Sequence, residues 1–235
     1  MKGLIVAIGF LTRLPVPALV VTDADFARSM RWFPVVGLIV GALIAGATYA
    51  GALIDPWIAA LTGLLVWVGV TGALHLDGLG DIADAAGAAH KGRDRIIAVL
   101  ADPHIGSFGA VAIALQLIAK LVLLHMLVER NLIPALILIP FVARIGPLLW
   151  TRLLPPLHEG LGTRFSGAVR VVDLLIWAVA LLAAGWRHPA LLVAPALMLL
   201  WAYWLRRRIG GLSGDGHGAG VELVESGLLL ALLIG

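Results

Sequence analysis

The chain has 235 residues, of which 61% are hydrophobic and only 13% charged, with a mean hydropathy of +1.02. Soluble domains carry about 25% charged residues, so the composition describes an integral membrane protein and excludes a solvated domain. Cysteine is absent, which excludes disulfides and thiol chemistry, and a net charge of +3 without a basic patch interleaved with aromatics excludes a nucleic-acid surface.

Met1 to Leu14 is apolar, with Lys2 and Arg13 near its ends. It is short for a span and lacks a small-residue cleavage site, so it reads as an interfacial or re-entrant helix. Pro15 and Pro17 make the segment after it extended and hold Arg13 at the membrane face. Six runs approach the roughly 20 apolar residues that a spanning helix needs. They are Phe33–Ile54, Trp57–Leu76, Phe108–Val128, Leu132–Trp150, Val171–Trp186 and Ala190–Leu205. A seventh, Val221–Gly235, is short. The expected fold is one all-α membrane domain over residues 1–235, a polytopic bundle of six to seven transmembrane helices. Gly37 and Gly41 in the first span permit helix association, and with it a homo-oligomer.

Basic residues set the expected orientation. Thirteen Lys and Arg lie in the segment before Phe33 and in the loops after the second, fourth and sixth spans, including Arg152, Arg164 and Arg170. The opposite connections hold only Arg130 and Arg187. The N-terminus and long loops are therefore expected in the cytoplasm. Every polar loop falls on that side, which favours an enzyme working at one membrane face over a transporter with midplane groups.

The strongest chemical signal is His75-Leu76-Asp77-Gly78-Leu79-Gly80-Asp81-Ile82-Ala83-Asp84. On a helix, positions i, i+4 and i+7 fall on one face, so Asp77, Asp81 and Asp84 face the same way. Carboxylates crowded together need a cation, and hard oxygen ligands favour Mg²⁺. His75 points away from this face, toward a packing role. Asp102-Pro103-His104-Ile105-Gly106-Ser107-Phe108-Gly109 offers either a helix cap or a fourth carboxylate, and then backbone N–H groups at a helix start where phosphate binds. Lys120 and Arg144 lie inside spans. Arg144 is close enough to the cytoplasmic end to reach an anionic substrate, whereas Lys120 is deeper and suits a structural pair with a buried carboxylate. Gly160 to Phe165 forms another polar loop. The stretch Gly210 to Gly220 has six glycines with Ser213, Asp215 and His217, and Glu222 and Glu225 follow at helical spacing. It reads either as a flexible linker or as a second element facing phosphate or metal.

These residues resemble the cobalamin synthase family, adenosylcobinamide-GDP ribazoletransferase. The likeness rests on His75-Leu76-Asp77-Gly78 with Asp81 and Asp84, on Asp102 to Gly109, on Arg13-Leu14-Pro15-Val16-Pro17, on Phe33-Pro34-Val35-Val36-Gly37, and on the Gly-rich stretch with Asp215 and Glu222. Ser107 and Ser213 stand where the family is expected to have threonine. The resemblance implies Mg²⁺-dependent transfer of the adenosylcobinamide-phosphate group to α-ribazole or its 5′-phosphate, releasing GMP, in a prokaryotic cytoplasmic membrane. It implies catalytic and metal-binding roles for Asp77, Asp81 and Asp84, with Asp84 a candidate proton acceptor. Substrate contacts are expected from Arg13, Asp102, Gly106, Ser107, Arg144, Asp215, His217 and Glu222. Two other readings remain at this point. A CDP-alcohol phosphotransferase would place Ala-Arg where Gly80-Asp81 stands. An ion-coupled transporter would show carboxylates within the membrane and an internal repeat.

Overall fold

The computed structural model describes residues 1–157 and 167–235, and the loop from Gly160 to Phe165, with Arg164, lies outside the described residues. The described residues form helices α1 Lys2–Leu11, α2 Asp23–Ser29, α3 Phe33–Ala52, α4 Pro56–Thr71, α5 Leu74–Ala88, α6 Arg93–Leu100, α7 Ser107–Glu129, α8 Leu138–Ala143, α9 Gly146–Leu153, α10 Val171–Arg187, α11 Ala194–Arg208 and α12 Gly214–Ile234. Five helical segments are long and apolar enough to cross a membrane, and a sixth joins them if α4 and α5 count as one broken span. The protein is an all-α, multi-pass membrane bundle. Its outward faces are apolar, as a multi-pass membrane bundle requires: Phe108, Val111, Leu115 and Ile118 recur at helical spacing on α7, exposed, as do Leu175, Val179, Leu182 and Trp186 on α10.

Four elements differ from the sequence reading. The second run does not continue straight to Leu76. It breaks at Gly72 and Ala73, both left-handed (φ 59° and 58°), and α5 leaves α4 at 83°. Arg13 braces this break. Its N–H donates to the Val70 carbonyl at 2.7 Å, and its side chain lies in the space that a Cβ on Gly72 would fill. The fourth run is also interrupted. Pro147 cannot sit inside a helix continuing from Ala143, because its ring would strike that carbonyl, so α8 ends at Ala143 and α9 restarts at Gly146. Arg144 stands at the break. The fifth run, α10, is 17 residues long, about 26 Å at 1.5 Å per residue, and falls short of a full span.

The fourth difference is the largest. The glycine-rich stretch is no loop: α12 begins at Gly214, and Gly216, Gly218 and Gly220 are helical and buried. Glycine costs about 1 kcal/mol per helical position against alanine, but here the missing side chains let α12 run through the centre of the bundle. A Cβ on Gly218 would lie 3.3 Å from the His75 Cα, and one on Gly220 would strike Trp150 and Trp201. α12 packs against α5, α7, α8, α9 and α11. Gly37 and Gly41 on α3 serve the same purpose within the chain. Their faces meet the backbone of Pro140 and Phe141 and of Ile137, so this stripe is spent inside the protein rather than left for a second copy.

A polar cavity beside the aspartate helix

α5 carries Asp77, Asp81 and Asp84 on one helical face. The three nevertheless take different partners. Asp84 turns to α7. Its carboxylate accepts the N–H of Gly106 at 2.7 Å and of Gly109 at 3.0 Å. A Cβ on either glycine would collide with that carboxylate. Asp84 thus closes the N-terminus of α7, whose own N-cap residue supplies no side-chain bond, and the positive end of the helix favours the charge. The expected phosphate-binding turn at Gly106 is therefore already occupied by a carboxylate of the same chain. Asp81, half-buried, lies within electrostatic reach of Asp215, Asp77 and Asp84.

Asp215 reaches α5 because Ser213 starts α12 there. The Ser213 hydroxyl accepts the Gly216 N–H at 3.0 Å. Gly78 then lets the Asp215 backbone approach, since a Cβ on Gly78 would stand 3.0 Å from the Asp215 Cα. Between α5, α9, α12 and the N-terminal helices lies a partly enclosed cavity of about 90 Å³. Its polar wall is Asp77, His75, Asp215, His217 and Arg144, and Phe10, Leu11, Phe33, Pro147 and Val221 supply the apolar wall. His217 Nε2 is 3.4 Å from the Thr151 hydroxyl, with Trp150 beside the ring.

Behind this cavity, inside the bundle, lies a buried ion cluster. Lys120 Nζ is 2.7 Å from Glu222 and 2.7 Å from Glu225. Arg144 Nη1 donates to Glu225 at 2.9 Å and to the Pro140 carbonyl at 3.1 Å. Gln116 Nε2 donates to Glu222 at 2.8 Å, and Lys120 also lies 4.1 Å from the centre of the Trp67 ring. Two cations and two anions balance one another, as a low-dielectric interior demands. Glu222, expected to face substrate, is buried and paired with Lys120. Lys120 takes the structural pairing its depth implied.

The remaining expected site residues lie elsewhere. Asp84, Asp102, Gly106 and Ser107 line a separate surface depression with His90, Arg95 and His104. Asp102 does not cap α7. It accepts the His104 Nδ1 at 2.8 Å and the His104 N–H at 3.0 Å, and the side-chain bond, with the backbone one, holds its carboxyl below the usual range. Arg13 supports the α4–α5 break, as described. So Asp77, Asp215, His217 and Arg144 share one cavity with Asp81 close by, while the others do not. Sequence reasoning missed His75 as a cavity wall, the roof of Phe10 and Phe33, and Gln116. Only the two intramembrane cations signalled the cluster, since each needs an anion.

Among the described residues, no three His, Asp or Glu side chains converge to enclose a metal ion. Within the aspartate triplet, Asp84 also holds the two amides at the start of α7. A Mg²⁺ site needs less than a full cage: one or two carboxylates, with water and substrate phosphates supplying the rest. Asp77 and Asp81 on one face of α5 fit that pattern.

A multi-pass helical bundle with carboxylates at the rim of a partly enclosed cavity has the architecture of a membrane-embedded enzyme. The chain belongs to the cobalamin-5-phosphate synthase family, which matches it over residues 3–233. A protein of Novosphingobium aromaticivorans named adenosylcobinamide-GDP ribazoletransferase is 63% identical, with 100% of this chain and 97% of that protein covered. Proteins of the same name from Thiobacillus denitrificans and Brevibacillus brevis are 49% and 37% identical, covering 98% and 99% of this chain and 94% and 98% of their own lengths. No solved structure matches.

Proposed function

We propose that this protein is an adenosylcobinamide-GDP ribazoletransferase, acting in cobalamin biosynthesis. The reading rests on the full-length family match, and the single geometric observation that carries it is the cavity rimmed by Asp77 and Asp215 beside Asp81. A hydroxyl of α-ribazole, or of its 5′-phosphate, attacks the phosphorus on the cobinamide side of the pyrophosphate. The phosphoanhydride bond breaks, GMP leaves, and the hydroxyl proton passes to a carboxylate. With both oxygens of Asp84 engaged by amides, we assign that proton to Asp215. Phosphoryl transfer depends mainly on positioning and charge neutralisation. Mg²⁺, which Asp77 and Asp81 would hold, would supply the neutralisation of the pyrophosphate charge. Asp84 acts indirectly, by locking α5 to α7 and so fixing the other aspartates.

The enzyme sits in the cytoplasmic membrane with its N-terminus and long loops inside, as the excess of Lys and Arg on that side argues. The test is incubation of the purified protein with adenosylcobinamide-GDP, α-ribazole and Mg²⁺, following GMP and the corrinoid product by chromatography. Formation of both products, abolished by chelation and restored by Mg²⁺, is the expected result. A folded sample that makes neither overturns the reading.

A further inference from the structure

The geometry points to Arg144 as a two-pronged anchor for a phosphoryl group, with its unpaired edge beside the cavity. This deepens the transferase reading and rests on it. A guanidinium presents Nε–H and one Nη2–H side by side, a fork that matches two oxygens of one phosphoryl group. In this protein the other end of the group is used up, because Nη1 serves both Glu225 and the Pro140 carbonyl. Nε and Nη2 have no hydrogen-bond partner among the described residues, although Arg144 is 0% exposed and lines the cavity. Leaving two buried donors of a cation unmade is expensive. A residue needed only to neutralise Glu225 would not require an unpaired fork beside a cavity.

A second observation agrees. His75, 5% exposed, also lines this cavity, and its Nδ1 has no partner among the described residues. Three buried polar atoms, Arg144 Nε and Nη2 and His75 Nδ1, thus await a ligand beside the same small space. The rest of the wall is largely apolar, which strengthens hydrogen bonds to an entering charge. At about 90 Å³ the space admits a small polar group and excludes a corrin ring, so the macrocycle remains outside and a phosphoryl end enters. Because Lys120, Glu222 and Glu225 balance the charge behind it, Arg144 acts through directed hydrogen bonds rather than surplus charge. Asp77 and Asp215 at the rim oppose a bare anion, so a phosphoryl group is admitted together with a divalent cation.

The probe is inorganic pyrophosphate, titrated calorimetrically in Mg²⁺ buffer into the detergent-purified full chain. Arg144→Lys keeps a cation for Glu225 and removes the fork. Its expected effect is pyrophosphate affinity weaker by about tenfold or more, the value of one lost charged hydrogen bond, and a KM for adenosylcobinamide-GDP raised in proportion with kcat changed less. Val221→Phe adds bulk to the cavity wall without replacing any member of the ion cluster, and its expected result is the same loss. It decides the matter if Arg144→Lys fails to fold. Unchanged affinity in either folded variant, or no pyrophosphate binding by the wild type, overturns the anchor. Product formation that is indifferent to Arg144→Lys leaves the transferase standing without the anchor. Arg144-dependent pyrophosphate binding without any product leaves the anion site and removes the transferase.

Discussion

Replacing Asp84 by asparagine separates its architectural role from a chemical one. In the wild type the carboxylate accepts two backbone N–H groups, at 2.7 and 3.0 Å, from the first residues of α7. Each hydrogen bond to a charged group contributes about 1.5–3 kcal/mol, and a neutral one about 1. Asparagine keeps one oxygen acceptor, so it retains one neutral bond and turns an NH₂ donor toward the other amide. The expected loss is about 2–5 kcal/mol, concentrated at the α5–α7 junction. The neighbouring glycines leave no room for relief, since both lie against the carboxylate. The assay is hydrogen exchange in detergent, read peptide by peptide and paired with thermal unfolding. Faster exchange at Gly106 to Ala110 and a lower unfolding temperature are expected, with turnover reduced because α5 is no longer fixed. Wild-type exchange and stability combined with abolished turnover would refute the reasoning and return Asp84 to the reacting groups.

Lys120→Met leaves Glu222 and Glu225 facing each other with only Arg144 to compensate, a loss of about 3–5 kcal/mol; adding Glu222→Gln should recover part of it, as thermal unfolding will show. Gly220→Ala places a methyl against Trp150 and Trp201, and overpacking of this kind costs about 1–3 kcal/mol. The same unfolding assay should report it, together with the loss of the 2.9 Å bond from Trp201 to the Gly216 carbonyl. Asp77→Asn and Asp81→Asn remove charge from side chains that make no hydrogen bond or ion pair among the described residues. Both proteins should unfold at or above the wild-type temperature, because each change relieves repulsion among neighbouring carboxylates, and should lose about a hundredfold or more in GMP release; activity within threefold of wild type would exclude these residues from the chemistry.

Local chemistry alone made much of this protein legible. Apolar runs of spanning length give the bundle, because a bilayer admits helices and penalises unsatisfied backbone. The spacing of Asp77, Asp81 and Asp84 gives their common face, since 3.6 residues per turn needs no tertiary information. The intramembrane positions of Lys120 and Arg144 announce buried anions. What the chain conceals is which groups meet. The stretch from Gly210 to Gly220 reads as a loop because glycine disfavours isolated helices; only the close approach of α12 to His75, Trp150 and Trp201 makes the helix favourable. Asp84 reads as the third member of a metal triad, and only the fold brings the two amides of α7 to it. Glu222 reads as a substrate contact, and only the fold brings Lys120, 102 positions before it in the chain, to 2.7 Å. Hydrophobic periodicity acts within a turn or two and can be read from neighbours. The partner of a carboxylate is chosen by packing between distant helices, where burial makes every unpaired charge costly, and that choice exists only in the folded bundle.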